Sequence, residues 1–237
     1  MHLGLVTRDA AAAERAAGRL RAAGAADVVP AVLTLTGDPV DDRRALDAVL
    51  DAVAGRRIAL DLPLGDLGAL LHRMMRRGEI ETTETALLGA PPPSLARVGL
   101  TGDPTAAAAL AVRGPAHAVG LLKDDSGGVL IDSARLSAWP GADGAGPPFW
   151  LRAYVDDTAV CDGPATALVV QRLGRHALRA TATRPGLLRR DRAVEGRALQ
   201  LACDDAQIVA DGVPRERPRD KRTWWCEPTY WKVALPI

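Results

Sequence analysis

The chain predicts an α/β protein in two parts, an N-terminal layered parallel-sheet α/β domain over residues 1–117 and a C-terminal β-rich, sandwich-like domain over residues 118–237. Two observations carry this. From Met1 to Pro115 short apolar runs alternate with helical patterns across short connections, the rhythm of strands joined by crossover helices. Beyond Pro115 the helical spacing stops, and short runs, several alternating apolar with polar, are parted by Gly, Asp and Pro turns. The boundary falls near Ala116 to Val119.

Met1 to Thr7 is an apolar run that reads as a strand, and Arg8-Asp9 can cap the helical pattern from Ala10 to Ala23, which closes at Gly24. Val28 to Thr36 repeats the strand signal. Gly37-Asp38-Pro39 then opens a helix, with Asp as cap and Pro in the first turn, and Leu46, Val49, Leu50 and Val53 share one face of it. Arg56 to Leu62 supplies a third strand. Leu67 to Met75 supplies a third helix, with Leu70, Leu71, Met74 and Met75 inward and His72 solvated. Thr85 to Leu88 is a fourth strand, and Gly102-Asp103-Pro104 starts a capped helix that ends at Gly114-Pro115. In the second half strands are expected at Val119–Leu122, Gly128–Ile131, Trp150–Val155, Ala167–Arg172, Ala177–Thr183, Ala198–Cys203 and Gln207–Ala210. Pro140 to Pro148 is expected to be a loop, and the basic stretch Arg184 to Arg192 a hairpin end.

Composition narrows the function classes. At 237 residues and 48% hydrophobic content the chain can build real cores. Thirty basic against 29 acidic residues leave a formal charge of +1, so no global footprint for nucleic acid appears. No apolar run approaches the roughly 20 residues of a membrane-spanning helix. The charged N-terminus does not read as a signal peptide, and a cytoplasmic protein is expected. Cys161, Cys203 and Cys226 are odd in number and scattered, which suits a reducing compartment. His2, His72, His117 and His176 lack metal-ligand spacing.

Chemistry is expected around Ile58 to Leu100. A glycine turn at the end of a parallel strand lets backbone approach a phosphate, and a following helix directs unpaired N–H groups at the anion. Gly65-Asp66 and Gly89 are the candidates. The same Gly65-Asp66 pair can equally do no more than end a strand and cap a helix.

Taken in order, these features resemble the diacylglycerol kinase-like lipid kinases, which are related to the NAD kinases. The family's GGDGT turn after the third strand is similar to Leu64-Gly65-Asp66-Leu67-Gly68. Its PLGTGNDFARALGL-like stretch is similar to Leu87 to Leu100, where Gly89, Ala96, Arg97, Gly99 and Leu100 agree. Its Asp-Gly-Glu turn is similar to Asp211-Gly212-Val213, and Val119 to Asp125 stands where the family crosses into its second domain. The resemblance implies a nucleotide cleft between two domains, ATP and Mg²⁺ as cofactors, Asp66 and Asp211 in catalytic positions, and Gly65, Gly68, Gly89 and Arg97 toward the nucleotide. Apart from the resemblance, the acidic pair Asp124-Asp125 is the candidate for holding the metal.

Departures from the family pattern bear on activity. Phosphoryl transfer depends on positioning and charge neutralisation. Leu64 and Leu67 add side chains where a phosphate should approach, Val213 can be neither base nor ligand, and Pro91 to Pro93 remove three N–H donors. The expectation is a diacylglycerol kinase-like protein with weak or lost ATP-dependent lipid phosphorylation that keeps a lipid or nucleotide pocket. Two alternatives stand beside it. One is a non-enzymatic scaffold that uses the basic, Trp-rich tail Arg215 to Trp231. The other is an active phosphotransferase in which Asp124, Asp125, Asp204 or Asp205 replaces the missing Glu. Expected partners are a lipid or small molecule, with peripheral membrane contact and no nucleic acid; the sequence leaves the oligomeric state open and is compatible with a homodimer.

Overall fold

The computed structural model describes residues 1–139, 147–173, 176–186, 190–215 and 217–236, so most of the expected loop at 140–148 and residues 187–189 of the basic stretch lie outside the described residues. Two units result: Met1–Val119 together with Thr229–Ile237, and Gly120–Pro228.

In the first unit β1 (His2–Thr7), β2 (Asp27–Val32), β3 (Arg57–Asp61) and β4 (Glu84–Leu87) alternate with α1 (Ala10–Ala22), α2 (Pro39–Ala52) and α3 (Leu64–Arg76). A short α4 (Pro93–Ala96) and α5 (Pro104–Arg113) follow. The parallel order is β4-β3-β1-β2. Central position explains composition. β1, hydrogen-bonded on both sides, is buried from Leu3 to Thr7, whereas in the edge strand β2 only Val28 is buried. Gly4 is required where α2 ends on the sheet, because a Cβ there would lie 2.5 Å from that of Val53.

α1, α2 and α5 start at acidic caps. Asp9 accepts from the Ala12 N–H at 2.7 Å, Asp38 from Val40 and Asp41 at 2.8 and 3.0 Å, and Asp103 from Ala106 at 2.8 Å. Each cap satisfies N–H groups that the first turn leaves without intrahelical partners. Leu46, Val49, Leu50 and Val53 are buried, as their spacing predicts. Met75, expected inward, is only half-buried, while Leu70, Leu71 and Met74 are fully covered.

The second unit takes up β5 (Ala116–Asp124) from its residue Gly120 onward. It continues through β6 (Val129–Leu130), β7 (Ser133–Ala138), β8 (Phe149–Val155), β9 (Thr158–Ala165), β10 (Ala167–Leu173), β11 (Ala177–Arg184), β12 (Arg190–Gly196), β13 (Ala198–Ala210), β14 (Val213–Pro214) and most of β15 (Arg219–Ala234). The antiparallel order is β12-β11-β10-β7-β13-β15, with β9 and β8 attached to the first half of β13. Leu136, Leu151, Leu168, Leu178 and Leu199 share one core with Trp224.

Two segments expected as separate strands, Ala198–Cys203 and Gln207–Ala210, are one strand. An irregularity between Ala202 and Ala206 lets β13 pair β8 with its first half and β7 with its second. Most of the basic, Trp-rich tail Arg215 to Trp231 lies in the 16-residue β15. Residues from Thr229 belong to the first unit, where Lys232 and Val233 pair in parallel with Glu84 and Thr85 of β4.

Candidate functional site

The carboxyl ends of the first unit's parallel strands form the candidate site. Register aligns Thr7 of β1 with Asp61 of β3, and Leu60 with Leu87 of β4, so Thr7-Arg8, Asp61-Leu62 and Leu88-Gly89 leave the sheet at one level. The Leu88 N–H still donates to the Leu60 carbonyl at 2.8 Å, which carries the pairing one residue beyond β4. Parallel α/β sheets bind ligands at this edge.

Gly65-Asp66 is not the turn that precedes a helix. The connection from β3 to α3 is Leu62-Pro63, and α3 starts at Leu64 with Pro63 as a cap that has no side-chain hydrogen bond. Proline's fixed φ suits the entry to a helix, so the start falls three residues before the apolar spacing indicates. Gly65 and Asp66 therefore lie in the first helical turn, where a carboxylate is favourable to the helix dipole. Asp66 is 8% exposed and is gripped by Arg8 through Nε and, at 3.3 Å, Nη2. The Arg8 side chain is 56% exposed. For an anion approaching this helix end, the Arg8 guanidinium already faces a carboxylate.

Gly89 lies beside β3, since a Cβ at Gly89 would be 3.2 Å from Asp61 Oδ1. Asp61 is half-buried, and its carboxylate accepts no hydrogen bond from another described residue. Sequence reasoning passed over Asp61 and Arg8. Their signal is positional: each ends or follows a central parallel strand at its carboxyl edge.

Gly68 sits in the second turn of α3, away from the helix end. Arg97 is the exposed C-cap of α4. The prolines before it start that helix: Leu95 and Ala96 donate their N–H groups to the Pro92 carbonyl, both at 2.9 Å. These donors are consumed within the turn.

In the second unit Asp211 is 8% exposed and has φ 48°. Its Oδ2 accepts from the Ile131 N–H at 2.8 Å, and its Oδ1 from Asp132 and Ser133 at 2.8 and 3.1 Å. Burial raises its pKa, with Asp132 adding to the rise, and wins over the three N–H groups that lower it. Arg172 donates to the Ile131 carbonyl at 3.1 Å, and burial lowers its pKa.

Asp124 Oδ1 accepts from Ser126 N, Ser126 Oγ and Gly128 N at 2.9, 2.7 and 2.8 Å, tying the turn between β5 and β6. Asp125 accepts from Arg222 Nη1 at 2.7 Å and from Thr223 N at 3.1 Å. The two carboxylates thus share the buried Arg222 guanidinium. Among the described residues no group of three or more His, Cys, Asp or Glu side chains is placed to hold a metal ion. The Arg222 guanidinium already neutralises the Asp124–Asp125 pair, and Mg²⁺ there would have to displace it. Asp204 accepts from the Trp150 N–H at 3.1 Å.

The tail's aromatics are mostly interior. Trp224 is 2% exposed, and Trp231 is fully buried with its Nε1 donating to Thr85 Oγ1 at 2.6 Å. Trp225 is half-buried, and the exposed tryptophans are Trp139 and Trp150. No helix among the described residues is long and apolar enough to cross a membrane.

No family model matches the chain, and no curated protein matches it. Solved structures do. A structure of diacylglycerol kinases from Bacillus anthracis str. Sterne is similar with TM-score 0.68 at 11% identity, over 99% of this chain and 96% of that one. A further Bacillus anthracis structure reaches 0.69, also at 11%, over 99% and 97%. An NAD kinase from Archaeoglobus fulgidus in complex with ATP is similar with TM-score 0.59 at 10% identity, over 99% and 93%. The protein has the fold shared by these diacylglycerol kinase and NAD kinase structures.

Proposed function

We propose that this protein is a diacylglycerol kinase-like protein whose ATP-dependent phosphorylation of lipid is weak or lost, and whose first unit keeps a nucleotide or lipid pocket at the carboxyl ends of β1, β3 and β4. One observation carries the reading: each carboxylate expected to be catalytic or to hold the metal is engaged internally. Asp66 is held by Arg8, Asp211 by three backbone N–H groups, Asp124 by its own turn, and Asp125 by Arg222. These partners hold each carboxylate in place and compete with a hydroxyl or a cation for its oxygens. The three free cysteines suit a place in the reducing cytoplasm.

ATP titration by calorimetry, with ATP consumption measured on diacylglycerol-containing vesicles, tests this. Nucleotide binding with no lipid-dependent turnover is the expected outcome. Turnover that Asp66→Ala abolishes overturns the loss of activity, and no binding at millimolar ATP or diacylglycerol removes the pocket.

A further inference from the structure

The opposite, amino-terminal edge of the same sheet holds a cavity of about 530 Å³, within the size range of small-molecule sites. It lies between the end of α2, the start of β3 and the segment that leads into β4. Leu50, Val53 and Ile58, each nearly inaccessible, supply an apolar floor. Arg56, Arg57, Glu79 and Glu84 are the charged side chains that line it, two of each sign.

These groups hold one another but not completely. Arg57 donates from Nε to Glu84 Oε2 at 2.8 Å and from Nη1 to the Ala111 and Gly114 carbonyls at 3.2 and 2.7 Å, which anchors it to the unit. Glu79 Oε1 accepts from Arg77 at 2.8 Å. Glu84 Oε1, Glu79 Oε2, the Thr83 hydroxyl, and Nε and Nη2 of Arg56 make no hydrogen bond to another described residue. Donors and acceptors therefore both line the cavity beside an apolar floor, and their formal charges cancel.

We infer that this cavity binds a neutral, polyhydroxylated small molecule such as a sugar or polyol. A phosphate would meet two carboxylates, and an ammonium would meet two guanidinium groups. A hydroxyl both donates and accepts, so it can bridge Thr83 and Arg56 to the free oxygens of Glu79 and Glu84 while its C–H face covers Leu50 and Ile58. The inference is independent of the kinase-like reading, because none of these residues belongs to the carboxyl-edge site.

Protein-observed NMR with myo-inositol and glycerol, and with glycerol 3-phosphate and choline as charged counterparts, tests it. The neutral probes should shift the amide signals of Gly55 and Thr83 saturably in the millimolar range, more tightly than either charged probe. Ala54→Trp, which fills the cavity from its exposed rim, and the near-isosteric Thr83→Val should each weaken binding by about tenfold or more, a loss of roughly 1.4 kcal/mol. Asp66→Ala should leave it unchanged. Absence of saturation by the neutral probes, tighter binding of a charged probe, or undiminished binding in Ala54→Trp with an unchanged melting temperature overturns the inference.

Discussion

Asp61 and Asp211 both stand at the ends of strands, yet their surroundings set them to different tasks. Asp211 is buried and takes three N–H bonds from the Ile131 to Ser133 backbone, so it ties the β13–β14 turn to the start of β7. Asp61 is half-exposed at the edge of the parallel sheet, beside Gly89, with no donor among the described residues. Asp66 falls between them, nearly covered but paired to a solvent-facing Arg8. The contrast teaches that a turn aspartate becomes scaffold once its lone pairs are filled from the backbone, and is open to a ligand only where the chain leaves it donor-free.

The most direct way to break the comparison is Asp211→Ala. It strands three backbone donors and places alanine at a left-handed φ, so unfolding free energy should fall by about 3 kcal/mol in urea titrations. A loss below about 1 kcal/mol would put Asp211 in the same class as Asp61. Its pH dependence sharpens the point. Because Asp211's pKa is raised in the folded state, its contribution is fully present below the unfolded value near 3.8 and is lost as pH rises through the folded value. The wild type should therefore lose stability over that window, and Asp211→Asn should lack this component.

Arg8→Ala and Asp66→Ala should each change stability by no more than about 1 kcal/mol, since one partner is exposed, and their double mutant should show coupling of similar size. Thermal denaturation of the four proteins decides it. Asp61→Asn should move stability least, within about 0.5 kcal/mol in either direction. Should Asp61→Asn nevertheless change nucleotide binding in calorimetry, the carboxyl edge is a ligand site rather than a second piece of scaffold.

Legibility varied with how local each cause is. Asp38-Pro39 and Asp103-Pro104 announce helix starts because cap and φ constraint act over three residues. The buried face of Leu46, Val49 and Leu50 follows from spacing alone. Gly65-Asp66 misled for the same reason: it has the composition of a turn, but Leu62-Pro63 had already made the turn, and the pair was drawn into the helix. Asp61 carries no motif, so nothing in its neighbours marks it apart from the strand that it ends.

The alternation of apolar runs and capped helices, the change to short alternating strands after Pro115, and the identity of the acidic residues were set by local sequence, because propensity, capping and period act within one element. Pairing was not. Whether a carboxylate is free depends on donors far away in the chain, as when Ile131 meets Asp211. The placement of Trp231 against Thr85 needs β15 to add to β4 from a distance of 146 residues. Such contacts exist only once strands have chosen neighbours, and that choice rests on the burial and hydrogen bonding of the assembled sheet rather than on any single stretch.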